Sequence, residues 1–150
     1  MKNSDNWPSL REYLDKYANK DLEERAMKEF EHNALIEDFL RGLKMMNKFS
    51  SSSIYREVPL YEGKSERRMR GKTDIVILTG DEISVVEAKI MRGSNYKASK
   101  NILRRQLLND YGFFSSRFGV DPQLFGLYRG LKIDGFSIQD YSPFMALEKT

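Results

Sequence analysis

The stretch Asp74-Ile-Val-Ile-Leu-Thr-Gly-Asp-Glu-Ile-Ser-Val-Val-Glu-Ala-Lys-Ile90 decides the fold. Two apolar runs flank Gly80-Asp81, the composition of a tight hairpin turn. Each run is hydrophobic on both faces (Ile75, Ile77 and Val86 against Val76, Leu78 and Val85), as in central strands covered from either side. A turn centred on Gly80 and Asp81 makes partner numbers add to 161, so Leu78 faces Ile83, Val76 faces Val85 and Asp74 faces Glu87. Alternation then places Lys89 on the face of Glu87, one pleat further along.

Two carboxylates opposed at the end of an apolar hairpin repel each other, and burying them uncompensated costs several kcal/mol. A divalent cation between them, or a retained proton, resolves the conflict. The chain has no cysteine, so the ligands are hard oxygens, which select Mg²⁺ or Mn²⁺; the Ala88 carbonyl, between the two functional side chains, is a candidate third ligand. Another acid-x-Lys tripeptide, Glu62-Gly-Lys64, lies in a charged loop without an apolar run and lacks this context.

Outward from the hairpin, Ser9-Leu-Arg-Glu12 and Asp21-Leu-Glu-Glu24 have the form of capping boxes and predict two helices. The second carries an apolar stripe, Leu22, Ala26, Met27, Phe30, Ile36, Leu40, Leu43 and Met46, to about residue 47. Residues 54–60 alternate as a strand in which Pro59 favours an edge or a bulge, and 62–72 form a basic, glycine-containing connection. Beyond Gly93-Ser94-Asn95, residues 96–118 form a helix with core stripe Tyr96, Leu103, Leu107, Phe114 and Phe118, ended by Gly119. A strand spans 124–133, and the tail contains Phe136, Ile138, Phe144 and Met145 as a further strand or cover. This order predicts an α/β (α+β) chain: a mixed central sheet flanked by helices, in a single domain over 1–150 with its core at about 21–133 and an extension at 134–150.

Composition excludes several classes. The 150 residues contain no run of roughly 18 apolar residues able to span a membrane and no hydrophobic signal region within Met1 to Asn6, so a cytoplasmic protein without membrane partners is expected. The absence of cysteine removes disulfide scaffolds and thiolate chemistry. Net charge is only +3, but segments 64–72 and 89–105 hold eleven basic residues against one acid, leaving the other 124 residues at −7. Such polarisation suits a phosphate-rich ligand. Arg67, Arg68, Arg70 and Lys72 form one basic group, and Lys97, Lys100 and Arg104 fall within about 60° on a helical wheel, a stripe able to follow a phosphate backbone.

Asp74, a gap of twelve residues, then Glu87-Ala-Lys89 on adjacent strands resembles the signature of the PD-(D/E)XK nuclease superfamily. The element order resembles its restriction-endonuclease-like αβββαβ core over roughly residues 21–133. Thr73 stands where the name-giving Pro would be. The resemblance implies that Asp74 and Glu87 bind Mg²⁺ or Mn²⁺ and that Lys89 orients or activates the attacking water. RecB-like members carry a metal-binding His on the helix before the hairpin, which implicates His32, with Glu31 or Glu37 as alternatives. They also carry Gln-x-x-x-Tyr on the helix after the Lys. Gln106-Leu-Leu-Asn-Asp-Tyr111 is similar but one residue longer, so Gln106 is a candidate site residue, whereas Tyr111 stands about 140° away on the wheel.

The expected function is hydrolysis of DNA phosphodiesters, as in a metal-dependent deoxyribonuclease acting on duplex DNA, with a homodimer able to present two sites. The alternatives are a non-catalytic nucleic-acid-binding protein on the same fold and a structure-specific resolvase. Compact cysteine-free nucleases of this kind are similar to those of archaeal viruses and mobile elements, which would place the chain in a host cytoplasm.

Overall fold

A computed structural model of the chain describes residues 8–18, 30–46, 51–62, 69–91, 96–130 and 136–141. Two helices, α1 (Leu10–Tyr17) and α2 (Phe30–Lys44), precede three strands, β1 (Ser53–Tyr61), β2 (Met69–Thr79) and β3 (Glu82–Met91). Helix α3 (Tyr96–Phe118) leads to β4 (Gln123–Gly130) and β5 (Ser137–Asp140). The strands form one mixed sheet in the order β1-β2-β3-β4-β5. The β3–β4 pair is parallel, with α3 as its crossover, and the other pairs are antiparallel. Among the described residues no helix is long and apolar enough to cross a membrane.

Helix α1 starts at the expected capping box: Glu12 N–H donates to Ser9 Oγ at 3.3 Å and Ser9 N–H to Glu12 Oε1 at 3.0 Å. The second box, at Asp21, lies outside the described residues. The buried stripe of α2 is Leu35, Ile36, Phe39, Leu40 and Leu43, at steps of one, three and four. Its C-terminal end falls short of the prediction, and Leu22, Ala26 and Met27 lie outside the described residues. Phe30, the first described residue of the expected stripe, is 74% exposed; Met46, its last, is 47% exposed because the helix stops at Lys44 and the chain turns through Met46 N–H to Leu43 O.

The sheet is covered on both sides, as its two-faced hydrophobicity requires. One face packs Val76, Leu78, Ile83 and Val85 against α1 and α3 through Tyr13, Leu14, Leu103, Leu107 and Phe114. The other packs Ile75, Ile77, Val86 and Ala88 beneath α2. The hairpin pairs Thr79 with Glu82, Leu78 with Ile83 and Val76 with Val85, the predicted register, and Gly80 takes φ +62° in the turn.

One boundary differs from expectation. Strand β2 begins at Met69, so residues 69–72 are strand rather than connection: Lys72 pairs with Pro59 and Met69 with Tyr61, charged side chains being tolerated because Arg70 and Lys72 remain exposed. Helix α3 has the predicted bounds, ended by Gly119 at φ +67°; it buries Phe113 as well as Leu103, Leu107 and Phe114 of the expected stripe, with Phe118 partly buried against them. Strand β4 stops at Gly130; 131–133 lie outside the described residues, as do the side chain of Tyr96 and the tail beyond Tyr141.

Candidate functional site

The open end of the hairpin is irregular in both strands of the β1–β2 pair. On β1, Tyr55 faces α1 and α3, while Arg56 faces α2, where its Nη2 donates to Asn33 Oδ1 at 3.0 Å. Regular alternation would put Val58 on the side of Arg56, yet Val58 packs on the side of Tyr55. The reversal falls at Glu57, whose φ of +54° lies in the left-handed region that costs a residue with a Cβ about 1–3 kcal/mol. The same reversal occurs on β2. Ile75 faces α2, but Thr73 reaches α3, where its Oγ1 donates to Asp110 Oδ1 at 3.0 Å. Arg56 pairs with Ile75 and Val58 with Thr73, so no residue is inserted; both strands turn over together at Glu57 and Asp74.

This double reversal puts the Asp74 carboxylate between strands. The described β2–β3 ladder ends at Ile75 and Val86, and the next donor on β3, Ala88 N–H, goes to Asp74 Oδ2 at 2.8 Å. From the α2 side, His32 Nε2 lies 3.2 Å from Ala88 O and 3.4 Å from Asp74 Oδ2. His32, Asp74 and Ala88, predicted from three separate segments, therefore meet at one point.

Glu87 points to the opposite side of the sheet, toward α3, and is 1% exposed. Its carboxyl lies within hydrogen-bonding reach of both Asp110 and Asp74. Burial, then the charges of Asp110 and Asp74, push its pKa well above the usual carboxylate range. Asp110, also 1% exposed, is pushed up to about 7 by burial, against the lowering effect of its bonds with Glu87 and Thr73. Neither Glu87 Oε2 nor Asp110 Oδ2 receives a bond from a fixed donor. The pair needs a proton or a cation to be stable.

Asp110 was missed from sequence, although its signal was present: it occupies the third place in the buried series Leu103, Leu107, Asp110, Phe114. An acid at a core position of a helix has to be accounted for. Gln106, one turn before Asp110, lines a cavity of about 370 Å³ with Glu87 and Asp110. Tyr111 turns away, donating to Asp121 Oδ1 at 2.6 Å, as the wheel predicted.

Lys89 is half-buried on the face of Glu87 by alternation, with no ion-pair partner among the described residues. Arg70 is held by Asn109, its Nε and Nη2 donating to Oδ1 at 3.0 and 2.8 Å, and Lys72 Nζ lies 3.8 Å from Glu57 Oε1. Lys100 Nζ stands 5.0 Å above the Tyr128 ring, and Arg104 is half-buried. These two lie roughly 100–180° around α3 from the cavity-lining Arg105 and Asn109, so the predicted stripe and the cavity occupy different flanks. Arg67, Arg68 and the side chain of Lys97 lie outside the described residues. Among the described residues, no group of three or more His, Cys, Asp or Glu forms a cluster that could hold a metal ion; the convergence at Asp74 consists of two side chains and one backbone oxygen.

No family model matches the chain, and the search of curated proteins finds no match.

Proposed function

We propose that the chain is a metal-dependent deoxyribonuclease of PD-(D/E)XK type, related to the RecB-like branch, that hydrolyses DNA phosphodiesters. The observation that carries this is the meeting of His32 Nε2, Asp74 Oδ2 and Ala88 O, with His32 3.2 and 3.4 Å from the two oxygens. Mg²⁺ holds its ligands at about 2.0–2.1 Å in an octahedron, whose neighbouring ligands are about 3.0 Å apart. His32, Asp74 and the Ala88 carbonyl, whose donors lie 3.2 and 3.4 Å apart about His32, would be close enough to hold one such ion together. An imidazole, a carboxylate and a carbonyl also suit Mn²⁺. Glu87, with an orphaned buried oxygen, supplies a further carboxylate.

A cation held by His32, Asp74, Ala88 and Glu87 would lower the pKa of a water and polarise a phosphoryl oxygen. The remaining work falls to side chains. Lys89, on the face of Glu87, orients the attacking water and offsets charge on the phosphate; Gln106 supplies an amide across the cavity from β2. Arg70, Lys72, Lys100 and Arg104, with Arg67, Arg68 and Lys97, supply charge for neighbouring phosphates. The element order around a mixed sheet supports a restriction-endonuclease-like core. Duplex DNA as substrate, a homodimer offering two sites and a cytoplasmic setting belong to the same proposal.

The Glu87–Asp110 contact favours a second reading, a nucleic-acid-binding protein without turnover, because a protonated acid pair is self-sufficient. The deciding experiment is cleavage of linear and covalently closed DNA by wild type and Glu87→Ala with Mg²⁺, Mn²⁺ or EDTA. Metal-dependent cleavage abolished by the substitution supports the nuclease; DNA binding without cleavage in wild type supports the second reading.

A further inference from the structure

The cavity beside Glu87 has a basic rim in which Arg105, unused by the proposed hydrolysis, joins Arg70 and Lys72. One wall is a single face of α3: Ile102, Arg105, Gln106 and Asn109 stand at successive steps of three, one and three residues. The other is the start of β2, where Gly71 takes φ +152° between Arg70 and Lys72. A Cβ on Gly71 would stand 3.6 Å from Asn109 Nδ2, which places β2 and α3 in direct apposition across the recess. The floor is closed by the buried carboxyls of Glu87 and Asp110.

Three cations from two elements thus converge on one recess of about 370 Å³ instead of running in a line. Arg70 is pre-positioned, with two of its five N–H donors taken by Asn109. Arg105 is exposed and has no hydrogen-bond or ion-pair partner among the described residues. A phosphodiester carries one negative charge, whereas a terminal phosphate monoester carries about −1.5 to −2 at neutral pH and three strong acceptor oxygens. Concentrated charge of this kind matches the monoester, for which an arginine fork supplies paired hydrogen bonds. Ile102 offers an apolar surface to a sugar or base, and Gln106 an amide to its edge.

We propose that this cavity takes the terminal phosphate monoester of a DNA strand, with its first nucleotide, so that the chain grips strand ends. The inference rests on the nuclease proposal for its choice of DNA, and it requires no cleavage. The test is fluorescence anisotropy, in EDTA, of hairpin duplexes whose open end carries a 5′-phosphate, a 3′-phosphate or only hydroxyls, with wild type, Arg105→Ala and Arg105→Lys. Wild type should bind one phosphorylated end about tenfold tighter than the hydroxyl end, and the favoured end identifies the monoester's source. Arg105→Ala should bring that ratio near one and Arg105→Lys should keep part of it; using the ratio cancels any general loss of DNA affinity. Equal binding of all ends by wild type overturns the proposal, as does an undiminished ratio in Arg105→Ala. End preference in a protein that cuts nothing sinks the nuclease and leaves the end site standing, whereas cleavage without end preference does the reverse.

Discussion

The two ends of the β2–β3 hairpin are built on opposite principles. At the turn, Thr79 pairs with Glu82 and Leu78 with Ile83 in a regular ladder, and the apolar side chains alternate onto two dry cores. Five residues out from Gly80 on one strand and from Asp81 on the other, the ladder stops at Ile75 and Val86, and a carboxylate replaces the next backbone acceptor. Buried acids cluster there, and Glu57 is held at φ +54°. One end spends nothing on polarity; the other accumulates desolvated charge and backbone strain within a few residues of each other. That contrast locates a functional site more sharply than charge clustering does, because strain and unpaired buried charge survive only where the surroundings over-determine them.

The largest effect expected from this contrast is on catalysis. Glu87→Gln removes a charge without changing shape and should lower Mg²⁺-dependent cleavage by about 10³-fold, roughly 4 kcal/mol of activation free energy. Thermal unfolding of the metal-free variant should match or exceed wild type, since an uncompensated buried carboxyl is relieved. Concurrent loss of activity and stability would make Glu87 a structural residue and erase the distinction between the two ends.

The turn end should respond in the opposite sense. Ile83 is 3% exposed within the α1–α3 core, and Ile83→Ala should cost about 2–5 kcal/mol in denaturant unfolding through lost transfer energy and a residual cavity. Cleavage per folded molecule should be unchanged. A variant that folds well but cuts poorly would show that the two ends communicate.

The acid pair also sets a pH dependence. Both carboxyls are raised, Asp110 to about 7, so the folded state binds more protons than the unfolded state above the ordinary carboxylate range. Stability of the metal-free protein is then full at low pH as far as these groups are concerned, and falls as pH rises from about 4 toward 7. Thermal scans across that window should show the decline, and Asp110→Asn should flatten it. A wild-type stability that rose over the same range would mean that other groups dominate.

Much of this was legible in the chain. Gly80-Asp81 between apolar runs is enough to set the hairpin register as far as Ile75 and Val86, whereas the expected Asp74–Glu87 pair lies one step beyond the end of the ladder, where Asp74 bonds to Ala88 N–H instead. Gly119 ends α3 where a glycine after a long apolar stripe should. What escaped has physical reasons. Asp110 and Thr73 are ordinary helix and strand residues locally, and their pairing at 3.0 Å across 37 positions is a product of packing. The start of β2 at Met69 was hidden because Arg70, Gly71 and Lys72 have loop-like composition, and pairing with β1 overrides it. The reversal at Glu57 has no local signature, since a glutamate carries none of the preference for positive φ that glycine or asparagine would show.

That residue gives the smallest effect and the most specific test of the contrast. Glycine adopts φ +54° without the steric penalty that Glu57 bears. Against the relief stand the greater unfolded-state entropy of glycine and the loss of the contacts of the buried Glu57 carboxylate, among them the long 3.8 Å pair with the exposed Lys72 Nζ. Glu57→Gly should therefore stabilise the fold by about 1 kcal/mol, a Tm rise of about 2–4 °C for a chain of this size. Cleavage should hold, because the backbone reversal that turns Asp74 between the strands is retained. Destabilisation would show instead that the Glu57 carboxylate pins the reversal through Lys72, and the strained backbone would then be a consequence of that ion pair, with the site at Asp74 depending on a surface charge.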